Sequence, residues 1–379
     1  MGKSALFIVT LFFAFGQLEI QAQNRSLSSE LDTLSNLTEI QFPAEDQPRE
    51  IRISNPVIFS DDDLLIGQIS GIVSDRNGGV YIADRDQSTI HRFDGSGNYI
   101  RSFGRDGEGP GEFRSLVQID TDGNFLYALD RNLNRITSFD PETGDPIETH
   151  TLGGTGQSMP ETFYVLPDDA FLIISMMFAT GSSDDVIHYQ PTGILTKTGN
   201  YKTSDQIRLP ARESVMVNSE GGNIGIIVPT YSRKSRVSVS DSGSIYTNWS
   251  EHLLIKQYDS DGAYAGAFYS NLEGDPLTRS QLRNRYSSAY MDALRGATPP
   301  STWPVVRSFL VDNQNRLWVN LFGDGAGERK WLVFQKNGEV GGMLTLPEES
   351  TIHEVRDGYL YLIETDRDGL EIVKRYEIE

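Results

Sequence analysis

The chain has 379 residues, 38% hydrophobic and 23% charged, which allows a large core and excludes whole-chain disorder. Its formal net charge of −20 argues against binding a nucleic-acid backbone, which needs clustered Lys and Arg. Cysteine is absent, which excludes disulfides, thiolate metal sites and a Cys-anchored lipid.

The first 22 residues read as a cleaved signal peptide: Lys3 gives a positive start, Leu6–Phe15 is apolar, and Ala22 offers a small residue for cleavage. The apolar run is short for a membrane span, and no later stretch is longer. We therefore expect export to a periplasm or the medium, with no membrane span and a monomeric state. The acidity suits a soluble exported protein. Residues 23–48 are polar and read as a linker. Arg49–Ser54 alternates like a strand. Asp61, Asp62 and Asp63 follow one another, but adjacent carboxylates point different ways, so this reads as a solvated loop.

The organising stretch is Ile69–Phe113. Four short apolar or aromatic runs are separated by Asp75-Arg76-Asn77-Gly78-Gly79, Asp84-Arg85-Asp86-Gln87-Ser88 and Asp94-Gly95-Ser96-Gly97. That pattern is an antiparallel meander. Copies follow. Tyr81 on the second strand matches Tyr127, Leu172, Tyr246, Trp318 and Tyr361. Phe93, ending the third strand, matches Phe139, Gln190, Tyr258, Phe334 and Tyr376. Six third strands imply six units. A four-stranded sheet cannot bury its faces alone, so the fold class is all-β, a six-bladed β-propeller of four-stranded antiparallel blades. The last blade, starting at Ile352, has only three strands before Glu379, so its outer strand should come from Arg49–Phe59.

The motif of Asp-x-x-Gly, an apolar–Tyr–apolar strand, then Ile-x-x-Phe-Asp-x-x-Gly resembles the NHL repeat. The crossing Phe103-Gly104-Arg105-Asp106-Gly107-Glu108-Gly109-Pro110-Gly111-Glu112-Phe113 is similar to that of a family of bacterial envelope six-bladed β-propeller proteins. The resemblance spans residues 49–379. It implies the fold and no common activity. Related six-bladed enzymes bind calcium or zinc in the tunnel. Of the five histidines, His91, His150, His188, His252 and His353, no three fall at equivalent inner-strand positions, so zinc has no visible ligand set. No cofactor is evident. Calcium through Asp, Asn and Glu in the tunnel stays open. No nucleophile–His–acid set is legible, and the Gly-rich crossing 104–111 lacks a phosphate-loop ending.

Two insertions interrupt the repeats, at about 200–235 and 271–304. The first holds a hairpin signal around Asn218–Gly222 and reads as an extension of blade 3. In the second, Leu282, Tyr286, Tyr290 and Leu294 fall at helical spacing after Pro276, with Arg279, Arg283, Arg285 and Arg295 opposite. In a meander blade the strand 2–3 loops and the blade-to-blade crossings share one face, around the tunnel mouth. That face should carry Asp84, Arg85, Asp130, Arg131, Asn248 and Asn320, joined by Arg279 and Arg283 of the helix. Such a set suits a small polar or anionic ligand, or an envelope protein partner. For Asp84 and Asp130, an anchoring role to loop backbone competes with a ligand role. The expected function is an exported binding module using this mouth. The alternative is a calcium- or zinc-dependent lactonase- or lyase-type enzyme with its site in the tunnel.

Overall fold

In a computed structural model, the residues described are 26–42, 48–61, 63–152, 159–180, 187–196, 198–203, 207–218, 224–294, 299–323, 327–366 and 369–379. The leader, Asp62, the hairpin tip 219–223, Arg295 and Arg367 lie outside them.

Six antiparallel sheets form the ring. Their inner strands are Ile69–Ser74, Leu116–Thr121, Pro160–Leu166, Ser235–Val239, Val306–Val311 and Thr351–Arg356. The sixth blade closes as expected: Ile53–Phe59 pairs antiparallel with Glu371–Ile378, matching Ile53 to Ile378 and Phe59 to Val373. Within the polar stretch before it, Leu37–Glu39 adds in parallel to Tyr264–Tyr269, the outer strand of blade 4. Gln41 and Glu50 then bridge to Glu339 and Met343 at the outer strand of blade 5. The N-terminal segment thus runs along three outer edges that would otherwise present unpaired backbone groups.

The second-strand column explains why blades stack. Tyr81, Tyr127, Leu172, Tyr246, Trp318 and Tyr361 are each at most 4% exposed, and each sits in a different apolar cluster between neighbouring blades. One cluster per seam is what six stacked sheets require, since each sheet buries both faces. Inner strands have a free edge, and side chains of a neighbouring blade satisfy it. Glu354 accepts from Ser74 N–H at 2.9 Å, Asp120 from Val165 N–H at 2.8 Å, and Ser238 Oγ from Val311 N–H at 3.0 Å. The outer turns repeat too. Asp94 Oδ1 accepts from Ser96 and Asn98 N–H, and Gly97 sits at φ 88°, where a Cβ would lie 2.3 Å from Ile58 O.

Two expectations need correction. In blade 3 the third strand is Thr192–Leu195, and Leu195 rather than Gln190 occupies the position of Phe93. Gln190 precedes that strand and donates to Pro210 O at 3.4 Å. The cause is a lengthened strand 2–3 loop, which shifts the repeat spacing. The helix is also broken. Arg279–Arg285 and Ser288–Ala293 are separate, because Tyr286 is extended (φ −116°, ψ 148°) and Ser287 caps the second helix by accepting from Tyr290 N–H.

The first insertion pairs Arg212–Asn218 with Ile224–Ile227, and adds Phe178–Thr180 from the blade 3 loop as a third strand. Val215, Ile227 and Tyr231 of this unit pack against Leu282 and Leu294 of the helical insertion and Trp303 in one apolar cluster. Thr230 N–H donates to Tyr286 Oη at 2.7 Å across the join. The two insertions therefore make one cap. Both leave and re-enter between blades, which sets the cap on the mouth face.

Candidate functional site

The strand-end residues anchor their loops. Asp84 Oδ1 accepts from Asp86 and Gln87 N–H, and Oδ2 from Gly67 N–H at 2.7 Å. Asp130 repeats this with Asn132, Leu133 and Arg114 N–H. Asn248 donates to His252 O and Leu254 O, and Asn320 to Lys330 O. All four are at most 2% exposed. Burial pushes the Asp84 carboxyl up, but His91 and the Gly67 and Gln87 N–H groups outweigh it and hold it below the usual range. His91 Nε2 stands 3.6 Å from Asp84 Oδ2, too long for a hydrogen bond. Arg279 and Arg283 are exposed on the first helix of the cap. Arg285 of the same helix pairs with Glu348 at 2.9 Å and lies 5.4 Å over the Trp303 ring.

A different set converges at the mouth. Arg236 starts the inner strand of blade 4, and its Nη2 donates to Arg307 O on the inner strand of blade 5 at 2.5 Å. Lys234 stands two residues before Arg236. Arg212 opens the cap hairpin, pairs with Glu161 of the blade 3 inner strand, and lies 5.7 Å over Phe178. Arg307 lies 4.5 Å over Phe322. Arg131 Nε donates to Pro160 O at 3.1 Å. Each of these charges feels the next. Burial, then Arg85, depress Arg131. Burial, then Arg212, bring Arg236 down to about 10, and burial, then Arg329 and Arg285, bring Arg307 down to about 10. Burial, then Arg236 and Arg212, bring Lys234 down to about 7. Among the described residues, Arg236, Arg307 and Lys234 have no carboxylate partner within ion-pair distance, and the Nε atoms of Arg236 and Arg307 are buried without an acceptor. The arginines remain protonated at neutral pH. The mouth is thus a concentration of positive charge in a chain of net charge −20.

Sequence reasoning placed Arg85 and Arg131 on this face but missed Arg212, Lys234, Arg236 and Arg307. A usable signal existed: Lys234-Ser235-Arg236 and Arg307 stand at the starts of consecutive inner strands. Arg307 is also the extra residue of a β-bulge, between the pairs Val306–Leu321 and Ser308–Asn320. Bulges re-aim side chains beside sites.

Residues 59–243 match the family DUF5128, described as 6-bladed beta-propeller. The chain is a six-bladed β-propeller. It is similar in structure to a protein from Bacteroides fragilis described as exported, at 13% identity and TM-score 0.52, covering 90% of this chain and 99% of that one. It is also similar to a DUF4221 family member from Bacteroides vulgatus, at 10% identity and TM-score 0.57, covering 88% and 99%. At these identities the likeness carries the fold alone. No curated protein matches the chain.

The propeller's opposite face differs. A cleft of about 560 Å³ opens there between blades 6 and 1, lined by Arg356, Arg375, Tyr359, Asp75 and Asp94 among others. Its charges are engaged. Arg356 forks onto Asp241 at 2.8 and 2.9 Å and reaches Glu354 at 2.7 Å. Arg375 donates to Gly78 O and stacks 4.4 Å from the Tyr359 centroid. Among the described residues no group of three His, Asp or Glu gathers to hold a metal, and no helix is long and apolar enough to cross a membrane.

Proposed function

We propose that this propeller is an exported binding module whose tunnel mouth takes a small anionic ligand. The observation that carries this reading is the set Arg212, Lys234, Arg236 and Arg307, gathered from the cap and two blades with Glu161 as its paired acid. Desolvated cations without counter-charges cost stability in the empty protein, and a bound anion relieves that cost. Guanidinium groups also offer the fork geometry that carboxylates and phosphates accept. Asp84, Asp130, Asn248 and Asn320 hold the loops around the mouth, and Arg85 and Arg131 extend its charge.

The test is a melting scan with inorganic phosphate. We expect phosphate to raise Tm in the native protein and not in Arg236→Ala/Arg307→Ala. A shift of equal size in both would refute the site.

A further inference from the structure

The cleft on the turn face, at about 560 Å³, has the size of a small-molecule site and two unlike walls. Blade 1 supplies the turns 75–78 and 94–96, and with them the acids. Asp75 accepts from Asn77 and Gly79 N–H at 2.8 Å, both at Oδ1, and among the described residues its Oδ2 accepts no hydrogen bond. Asp94 is held by Ser96 and Asn98 N–H. Blade 6 supplies the bases. Arg356 is committed to Asp241 and Glu354. Arg375 is not: among the described residues no carboxylate lies within ion-pair distance of it. Its half-buried guanidinium lies over the Tyr359 ring and donates one N–H to Gly78 O at 3.0 Å. The other two charges of the lining lean away. Arg76 packs on Gly123 of blade 2, and Asp357 exchanges hydrogen bonds with Asn313 of blade 5.

Two consecutive glycines set the spacing of what remains. A Cβ at Gly78 would lie 2.7 Å from Arg375 Nη1, and one at Gly79 would lie 2.7 Å from Asp75 Oδ2. Opposite charges from two blades therefore pack against adjacent residues, without forming an ion pair with each other. An uncompensated guanidinium beside an open carboxylate oxygen is complementary to a molecule that carries both charges.

We propose that this cleft is a second binding site, separate from the mouth, for a zwitterion of amino-acid size. Arg375 takes the carboxylate, Asp75 takes the ammonium, and Asp94 adds negative potential on the ammonium side. The cleft's volume leaves room for a side chain, and its polar turns, with Asn77 and Ser96, suit a polar one. A ligand held this way bridges blades 6 and 1.

The experiment is calorimetric titration of the native protein with L-glutamine and with two forms that each lack one charge, N-acetyl-L-glutamine and L-glutamine amide. We expect L-glutamine to bind at a single site, and each single-charge form to bind about tenfold more weakly or less. No binding of L-glutamine, or equal binding of all three, would overturn the proposal. Two variants locate the site. Asp75→Asn keeps the acceptor that holds the turn and removes the charge, and Arg375→Gln removes the cation. Each should weaken L-glutamine binding about tenfold. Native affinity in Asp75→Asn would overturn the assignment even if Arg375→Gln failed to fold. Arg236→Ala/Arg307→Ala should bind L-glutamine as the native protein does. Loss of binding there would put the ligand at the mouth and remove the second site.

Discussion

The two faces of the propeller use the same residue type in opposite ways. On the turn face, Arg356 crosses between blades to Asp241 and also holds Glu354. Burial alone would depress it, yet these carboxylates outweigh burial and raise it above the usual arginine range. On the mouth face, Arg236 and Arg307 are half-buried beside other cations, and desolvation and those cations lower their pKa values instead. A paired arginine ties blades together. An arginine held among like charges lowers stability, so its position calls for a role other than folding.

That contrast can be broken at several points. The largest effect concerns neither face but the closure that holds both in place. Removing residues 26–59 strips the outer strand from blade 6, takes away Phe59, and exposes the edges of blades 4 and 5. Urea unfolding followed by circular dichroism should lose its cooperative transition. Retention of the full transition would show that the ring closes without this segment.

Asp84→Ala should come next, at about 3 kcal/mol, because three part-buried N–H groups lose a charged acceptor. The pH dependence has a definite sign. The folded carboxyl lies below its unfolded value, so its contribution is complete above the unfolded pKa and is lost as pH falls through the folded one. Native protein should therefore lose stability on acidification more steeply than Asp84→Asn. Matching acid profiles would remove the anchoring role.

Arg356→Ala should cost less, about 1–2 kcal/mol, since Asp241 is half exposed and solvent screens the pair. It should leave phosphate binding at the mouth intact. A loss of phosphate binding in Arg356→Ala would mean that the two ends of the tunnel are not independent.

The parts of the molecule legible in the sequence were those with strong local chemistry. Tyr81, Tyr127, Tyr246, Trp318 and Tyr361 mark the second strands because a sheet buried on both faces selects aromatic residues there. Asp94 and Gly97 mark the outer turn because the loop needs an acceptor and a left-handed residue. The three-strand last blade pointed to its missing partner. Blade 3 was harder to read, since its longer strand 2–3 loop moved Leu195 out of step and left Gln190 at the expected spacing. The helix break at Tyr286 and Ser287 was hidden because a serine inside an apolar helical pattern does not announce itself as a cap. The mouth was the least visible. An Arg in a strand reads as a solvated face, and only the closed ring brings Arg236, Arg307 and Arg212 together from segments far apart in sequence.

The most direct measurement is calorimetric titration of inorganic phosphate into the native protein, Arg236→Ala/Arg307→Ala and Arg356→Ala. The account predicts binding that weakens with salt in the native protein and in Arg356→Ala, and none in the mouth variant, whose unfolding free energy stays within about 0.5 kcal/mol of native or rises as like charges are removed. Equal phosphate binding in all three proteins would contradict it.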